Sequence, residues 1–183
     1  WAKKDILENF DNNKIVPISY RPFDVRWTCY TGTSRGFHVR PRSEVMAHMT
    51  KDNLALIVLR QVKAGKSFQH VFVSKNITES TLVSNKTSEI NYVLPLYNYD
   101  HGDRLPNLDK KIIADFEIIV GKVLPEDIFD YIYAVLYSPS YREKYKEFLK
   151  IDFPRIPYAK NKEVFSRLVA FGRELRLLHL LES

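Results

Sequence analysis

The feature that most constrains the fold is a change of pattern near residue 100. Before it, short apolar segments separated by polar turns predict strands, and the continuous apolar run from Leu54 to Leu59 is typical of a buried strand. After it, Pro125 and the acidic residues that follow predict a helix start, because proline presets the first helical dihedral and acids favour the positive helix end. We therefore predict an α+β fold, with a strand-rich mixed sheet in the N-terminal half and a helical C-terminal half.

The individual elements follow from local patterns. We predict strands at 15–20, 26–31, 54–59, 68–73, 81–83 and 91–99. Pro95 indicates that the last of these is an edge strand or ends irregularly, since proline cannot donate to a strand ladder. The predicted helices are at 1–10, at 44–49, from Pro125, from Pro139 to about Leu149, and from Asn161 onward.

Three helix starts have candidate capping residues, which are Ser43, Ser138 and Asn161. In the last helix, five apolar residues at helical spacing predict the packed face: Val164, Leu168, Phe171, Leu175 and Leu178. Gly172 in the same helix lowers helix propensity and suggests close packing.

The polar segment 100–107 is the best internal boundary, so we predict a basic strand-rich recognition region at 1–100 and a helical bracing region at 101–183. Together they are expected to form one domain. Because the first residue is Trp1 and not Met, we expect the chain to be a fragment of a longer protein.

The positive charge lies entirely in the first half. Residues 1–92 contain 14 Lys and Arg against 8 Asp and Glu, whereas residues 93–183 contain 14 of each. The excess is concentrated between Arg21 and Lys66, where aromatic residues are interleaved with it. This composition suits a nucleic-acid backbone, since cations attract phosphate and aromatics add shape and edge contacts. The alternative is a basic face that is simply solvated.

Other bulk features exclude several classes of protein. The single cysteine, Cys29, cannot form an internal disulfide, and no apolar run approaches the roughly 20 residues that span a bilayer. The start has no signal-peptide pattern. We therefore expect a cytoplasmic protein without a membrane partner.

The residues fall into two groups of candidate DNA contacts. Candidate phosphate contacts, chosen because few acids lie near them, are Arg35, Arg40, Arg42, Lys63 and Lys66. Candidate base contacts, chosen because they lie at strand ends and can reach base edges with two hydrogen bonds, are Arg60, Gln61, Asn76, Asn85 and Lys86. Arg21 and Arg26 are ambiguous, because either could pair with Asp24 in a structural corner.

No catalytic or metal site is predicted. The segment Ala64-Gly-Lys-Ser67 resembles the end of a phosphate-binding loop, but Arg60 occupies the position of the first glycine and a strand pattern follows it. The five histidines lack zinc-ligand spacing, and His101 near two aspartates fits a polar loop better than a metal site. No nucleophile-elbow sequence occurs. We expect no cofactor in this chain.

Several segments together resemble one family, the C-terminal specificity domain of single-chain restriction-modification enzymes of type ISP and their type IIG relatives. The segments are Tyr20-Arg-Pro-Phe-Asp-Val-Arg-Trp27, Arg40-Pro-Arg-Ser-Glu-Val-Met46, His70-Val-Phe-Val-Ser74, Ser84-Asn-Lys-Thr-Ser-Glu89 with Leu94-Pro-Leu-Tyr97, Ile128-Phe-Asp-Tyr-Ile-Tyr-Ala-Val-Leu-Tyr-Ser-Pro139 and Tyr145-Lys-Glu-Phe-Leu-Lys-Ile-Asp-Phe-Pro-Arg-Ile-Pro157. They cover nearly the whole chain in order.

The resemblance implies a target-recognition domain that binds double-stranded DNA for an adenine-N6 methyltransferase upstream in the same chain. S-adenosylmethionine, Mg²⁺ and the nuclease would belong to domains outside this sequence. Two other functions remain open, namely a non-catalytic protein-docking domain and a single-stranded nucleic-acid binding module that uses exposed aromatics such as Trp27, Tyr30 and Phe37. A hidden nuclease activity is a more distant alternative.

Overall fold

The computed structural model describes residues 1–61, 68–83 and 90–182. The elements in chain order are α1 (Ala2–Asn9), β1 (Ile15–Arg21), β2 (Asp24–Cys29), α2 (Ser43–Met49), β3 (Ala55–Leu59), β4 (Val71–Ser74), β5 (Ile77–Thr78), β6 (Asn91–Pro95), β7 (Tyr97–Asp100), β8 (Asp103–Pro106), α3 (Lys110–Val120), α4 (Pro125–Tyr137), α5 (Pro139–Lys144) and α6 (Lys162–Leu180). Strands dominate the first half and helices the second, so the predicted α+β class is confirmed.

The strands form three small sheets. In the first sheet, β1 lies between β2, which is antiparallel to it, and the short β5, which is parallel. In the second, β3 is central and pairs antiparallel with β4 and β6. The third is the hairpin of β7 and β8. The buried hydroxyls of Ser19 and Ser74, 2.8 Å apart, connect the first two sheets.

Burial of strand β3 explains why its sequence is continuously apolar. All five of its residues are buried. Leu56 and Val58 belong to the large core that the C-terminal helices complete, whereas Ala55 packs in a second cluster with Met49 of α2 and Ile77 of β5. A strand covered on both faces requires apolar side chains on both. The large core thus contains residues from both predicted regions of the chain.

Helices α4 and α6 form the tightest helical contact. Gly172 is buried, and a β-carbon at this position would lie 1.8 Å from the backbone oxygen of Asp130. Glycine therefore allows the two backbones to approach closely, as the sequence suggested. Beside this contact, Arg176 donates two hydrogen bonds to the carboxylate of Asp130, at 2.6 and 3.0 Å.

Several local predictions are confirmed. The Ser138 side chain accepts a hydrogen bond from the backbone N–H of Tyr141 where α4 gives way to α5, and Asn161 caps α6 through the N–H of Val164. The β6 strand, which ends at Pro95, is an edge strand.

Other local predictions are wrong. Residues 81–83 form a turn and not a strand, and the predicted loop at 100–107 contains β8. Helix α3 was missed although Asp109 caps it, and α5 ends at Lys144 and not near Leu149. At 81–83 and in β8 tertiary contacts decided the outcome, because such short segments carry little local preference of their own, whereas α3 has its own capping signal at Asp109.

The packed face of α6 agrees with the prediction in part. Leu168 and Leu175 pack against the core as predicted, and Phe165 and Gly172 are buried beside them. Val164, Phe171 and Leu178 are exposed, and Gly172 faces the backbone of Asp130 in α4.

Throughout the described ranges, no helix combines the length and apolar character needed to cross a membrane.

Candidate nucleic-acid interface

Three candidate phosphate contacts lie in one segment, residues 30–42, here called the arginine loop. The loop begins directly after β2, at the open end of the β1–β2 hairpin where Ile15 pairs with Cys29. The backbone N–H of Tyr30 still donates to Lys14 at 2.7 Å. From there the chain runs to the start of α2. The side chains of Arg35, Arg40 and Arg42 are exposed, so all three cations of this segment are open to solvent.

Hydrogen bonds fix the loop from its inner side. The Tyr30 hydroxyl donates to the carbonyl of Pro41 at 3.0 Å, which ties the two ends of the loop together. His38 lies 3.1 Å from the hydroxyl of Thr28 in β2, and burial lowers its pKa. The Ser43 hydroxyl donates to the carbonyl of Gly32 at 3.3 Å. The loop is therefore an ordered part of the fold.

Asp5 of α1 makes the densest contact with the arginine loop. Its carboxylate accepts hydrogen bonds from the Thr31 hydroxyl and the Phe37 backbone N–H, both at 2.7 Å, and from the Asn9 amide at 2.9 Å. Asp5 is only 4% exposed. These donors, with that of Thr31 the largest contribution, lower the pKa of Asp5 to about 2. The group is thus an anion whenever the protein is near neutral pH.

Two arginines of the loop have left-handed backbone conformations. The φ angles are 55° at Arg35 and 50° at Arg42, values that non-glycine residues rarely adopt. Arg42 directly precedes α2 and occupies the N-cap position, which corrects the expectation that Ser43 caps this helix. Such conformations persist only where surrounding contacts impose them, and here the contacts of Asp5, Tyr30 and Ser43 do so.

The arginines of the loop are weakly paired. Arg42 lies 3.7 Å from Glu44 with both side chains exposed, and Arg35 lies 5.8 Å from the ring of Trp1. Arg40 makes no ion pair with any residue in the described ranges. Exposed pairs of this kind contribute little, so the three guanidinium groups remain available to an external anion.

Arg60 and Gln61 lie at a different place, the carboxyl end of β3, and both are exposed. The Arg60 Nε atom is 3.5 Å from a carboxylate oxygen of Asp152, and its guanidinium lies 5.9 Å from the ring of Phe153. This pair is also exposed, and a polyanion could therefore compete for it.

Asn76 lies at the other end of the second sheet. It follows β4 just after Ser74, which pairs with Ala55 at the start of β3. Five residues of strand separate this end from Arg60, or about 17 Å at 3.4 Å per residue. Asn76 is half-buried, and its backbone N–H donates to the Ser74 hydroxyl at 2.9 Å. The structure therefore does not bring Asn76 and Arg60 together.

The remaining four candidates, Lys63, Lys66, Asn85 and Lys86, lie outside the residues that the structure describes. Their roles stay predictions.

Arg21 and Arg26 form the structural corner that the sequence left open. Arg26 pairs with Asp24 at 2.9 Å, whereas Arg21 pairs with Glu79 at 2.9 Å. The guanidinium groups of Arg21 and Arg26 also lie over the ring of Tyr20, at 4.2 and 3.9 Å from its centroid, respectively. Arg21 is thus half-buried and linked to Glu79, which follows β5, whereas Arg26 and its pair with Asp24 are exposed.

Sequence reasoning missed Asp5 and the close approach of Gly36 to it. A β-carbon on Gly36 would lie 2.2 Å from an Asp5 carboxylate oxygen. No local signal could have revealed this, because Asp5 is 26 residues from Thr31 and 32 from Phe37. Within the described ranges, no group of three or more His, Cys, Asp or Glu residues could hold a metal ion.

Comparison with known proteins identifies one family and several similar solved structures. The family model described as the type ISP C-terminal specificity domain matches residues 1–183. DrdV, solved by cryo-electron microscopy as a DNA complex, is 34% identical over 93% of this chain and 16% of its own, with a TM-score of 0.77. No match was found among curated proteins.

Two further structures are similar. A nuclease-deletion mutant of the type ISP restriction-modification enzyme LlaGI, solved with a DNA substrate mimic, is 26% identical over 93% of this chain and 14% of its own, with a TM-score of 0.64. The ATP-dependent type ISP restriction-modification enzyme LlaBIII, solved bound to DNA, shares the fold at 22% identity, with a TM-score of 0.71 over 93% of this chain and 11% of its own.

This chain spans about one sixth or less of the length of these enzymes. The family model nevertheless matches every residue of the chain. The chain belongs to the family of type ISP C-terminal specificity domains.

Proposed function

We propose that this chain recognises a specific site in double-stranded DNA as the specificity domain of a restriction-modification enzyme. The observation that carries the proposal is its 34% identity to the corresponding part of DrdV, which was solved as a DNA complex. The arrangement of charge supports it, because three exposed arginines stand on one ordered loop without strong internal partners.

In this proposal Arg35, Arg40 and Arg42 contact phosphates. Arg60 and Gln61, exposed at the end of β3, contact bases from a second place, and the other candidates add to these two sets. Arginine binds the O6 and N7 atoms of guanine with two hydrogen bonds, and glutamine can do the same for N6 and N7 of adenine. Phosphate contacts set the position on the duplex, whereas base contacts select the sequence.

The chemistry is proposed to occur elsewhere in a longer parent polypeptide. There an adenine-N6 methyltransferase using S-adenosylmethionine and a nuclease using Mg²⁺ would act on the site that this domain selects, in the cytoplasm. The present chain supplies binding and orientation, with its helical region bracing the recognition region.

The test begins with the 183-residue chain and a pool of duplexes with randomised centres. Selection and sequencing should return one enriched motif, and affinity for it should fall as salt rises. Arg40→Ala should reduce the slope of log K against log salt by about 0.9, because one phosphate contact and its released counterion are lost. It should weaken binding to matched and mismatched duplexes alike.

A matched control is Arg173→Ala, which removes the same charge from an exposed position on α6. Its salt slope should remain that of the unchanged chain. Selection that returns no motif, or a salt slope that Arg40→Ala leaves unaltered, would contradict the proposed recognition or the proposed phosphate contact, respectively.

A second candidate function is protein docking, and one observation favours it. Val25 and Trp27 are 56% and 72% exposed, and their spacing places them on the same face of the edge strand β2. Exposed apolar residues grouped in this way often mark a binding surface. Trp27→Ala separates the two functions, since it should leave duplex affinity unchanged if this face contacts protein.

A further inference from the structure

We propose that Asp5 is a positioning residue for DNA binding, which holds the arginine loop in the shape that presents Arg35, Arg40 and Arg42 to phosphate. The inference rests on the proposed function. It assigns a role in anion binding to a buried anion that touches no ligand itself.

The hydrogen bonds of Asp5 carry the first step. One carboxylate oxygen accepts from both the Thr31 hydroxyl and the Phe37 N–H, and these two groups lie on either side of Arg35 in the loop. The other oxygen accepts from Asn9 within α1. Removing the carboxylate would leave two donors in the loop unsatisfied, and the loop would have to open to find water.

The partners of Asp5 are neutral. Within the described ranges it makes no ion pair with Lys or Arg. The loop is therefore held by an acid that does not neutralise any of its cations. If an arginine of the loop had donated to Asp5, the ion pair would have neutralised one of the charges that the loop displays. The neutral donors Thr31 and Phe37 leave these charges unpaired by Asp5.

Gly36 gives a second, independent indication that the contact is close. The β-carbon of any other residue would lie 2.2 Å from the Asp5 carboxylate oxygen and 2.9 Å from the carbonyl of Thr33. Glycine at the position next to Arg35 thus lets the loop backbone pass directly over the carboxylate.

The sign of the expected effect separates positioning from simple charge. Asp5 is negative, so its removal would strengthen binding to a polyanion if only Coulomb attraction mattered. A loop that has lost its anchor must instead be ordered when DNA binds, and this ordering costs backbone entropy. Positioning therefore predicts weaker binding, against the electrostatic trend.

The central experiment compares Asp5→Ala with Glu8→Ala in the 183-residue chain. Glu8 is an exposed acid on the same helix, so its substitution changes the net charge equally without touching the arginine loop. Asp5→Ala should lower affinity for the selected duplex by about tenfold, roughly the cost of ordering one residue. Its salt slope should stay unchanged because every arginine is retained. Glu8→Ala should bind as tightly as the unchanged chain or slightly more tightly.

Gly36→Ala and Asp5→Asn also test the contact between Asp5 and the arginine loop. Gly36→Ala should weaken binding because its methyl group collides with the carboxylate, and this loss should shrink when Asp5→Ala is already present. Asp5→Asn should recover part of the affinity, since its amide oxygen can still accept from Thr31 and Phe37. Non-additivity of this kind indicates direct coupling between the two residues.

Limited trypsin digestion tests the ordering of the loop without DNA. Asp5→Ala should expose the bonds after Arg35 and Arg42 to faster cleavage than Glu8→Ala does. If Asp5→Ala does not fold, Asp5→Asn and Gly36→Ala carry the same comparison.

These experiments distinguish failure of the positioning role of Asp5 from failure of the proposed DNA recognition. An unchanged chain that shows no preference for any duplex would refute DNA recognition, and the trypsin comparison would still decide on positioning. Equal or tighter binding by Asp5→Ala, or equal cleavage of the loop, would overturn the positioning role.

Discussion

The arginine loop and the α4–α6 contact use arginine in opposite ways. In the loop, Arg35 and Arg40 are exposed, and an aspartate with neutral partners holds the backbone that displays them. Between the helices, Arg176 is fully engaged by Asp130, and the two side chains are only 11% and 3% exposed. The same side chain is exposed in one region and committed to structure in the other.

The difference teaches that local charge does not reveal the role of a cation. Burial does, because a buried guanidinium must be paired to offset its lost hydration, whereas an exposed one gains little from a pair. The basic half of the chain shows a milder form of the contrast, since Arg21 is half-buried and paired with Glu79 while Arg40 is exposed and has no ion-pair partner in the described ranges.

The largest expected effect is on the buried pair. Asp130→Ala leaves Arg176 desolvated without a partner, and removing one member of a buried pair costs about 3–5 kcal/mol. Urea unfolding should measure this as a lower free energy of unfolding. The matched control is Asp24→Ala, which breaks an exposed pair and should cost about 1 kcal/mol or less. Equal losses in the two variants would contradict the contrast between buried and exposed pairs.

A smaller loss is expected where the same two helices meet at Gly172. Gly172→Ala adds a methyl group that would lie 1.8 Å from the backbone oxygen of Asp130, so the helices must separate. Overpacking of this kind costs about 1–3 kcal/mol, measurable by thermal or urea unfolding. Alanine at the exposed Gly121, a position with a φ of 84°, is a control that tests backbone strain without a steric contact. A gain in stability from Gly172→Ala would contradict this prediction, because it would mean that the better helix propensity of alanine outweighs the overpacking between α4 and α6.

Substitution of the exposed Arg40 should leave the free energy of unfolding almost unchanged in the same assay. Arg40→Ala should change the free energy of unfolding by no more than about 0.5 kcal/mol, because surface substitutions away from special features rarely do more. Arg176→Ala, which leaves the Asp130 carboxylate buried and unpaired, is the comparison. A large loss of stability in Arg40→Ala would reveal a structural role for this residue and weaken its assignment to phosphate.

The last prediction concerns the pH dependence of Asp5, which holds the arginine loop. The folded pKa of Asp5, about 2, lies below its ordinary value of 3.8, chiefly because Thr31 and Phe37 donate to the carboxylate. Its contribution to stability is therefore fully present above about pH 4 and is lost as the pH falls toward 2. The difference in unfolding free energy between the unchanged chain and Asp5→Asn should shrink over this range. A difference that stays constant from pH 6 to pH 2 would contradict the lowered pKa.

Several local features were predictable because their physical causes are adjacent in sequence. Asn161 and Ser138 each cap a helix whose first residues follow them directly, and Pro125 begins α4 as expected. Helix α3 was missed although its pattern was present, with Asp109 at its cap and Phe116 and Val120 on one face. That omission reflects an overlooked signal and not a hidden one.

The candidate site was predictable only in part. The sequence brought Arg35, Arg40 and Arg42 together because they share one short segment. It could not show that Asn76 lies at the opposite end of the second sheet from Arg60, since strand pairing decides this. Nor could it separate Arg21 from Arg26, because Glu79, the partner of Arg21, is 58 residues away.

By itself the sequence determined the α+β class, the family, the location of the positive charge and most helix starts. The family rests on the resemblance of several segments to known members, whereas the other features depend on composition, periodicity and capping, which act over a few residues. Only the tertiary structure decided which cations are free, which face of α6 is packed, and that Asp5 anchors the arginine loop. The physical reason is that hydrogen bonding and burial join residues that are distant in the chain, and only the folded backbone sets their distances.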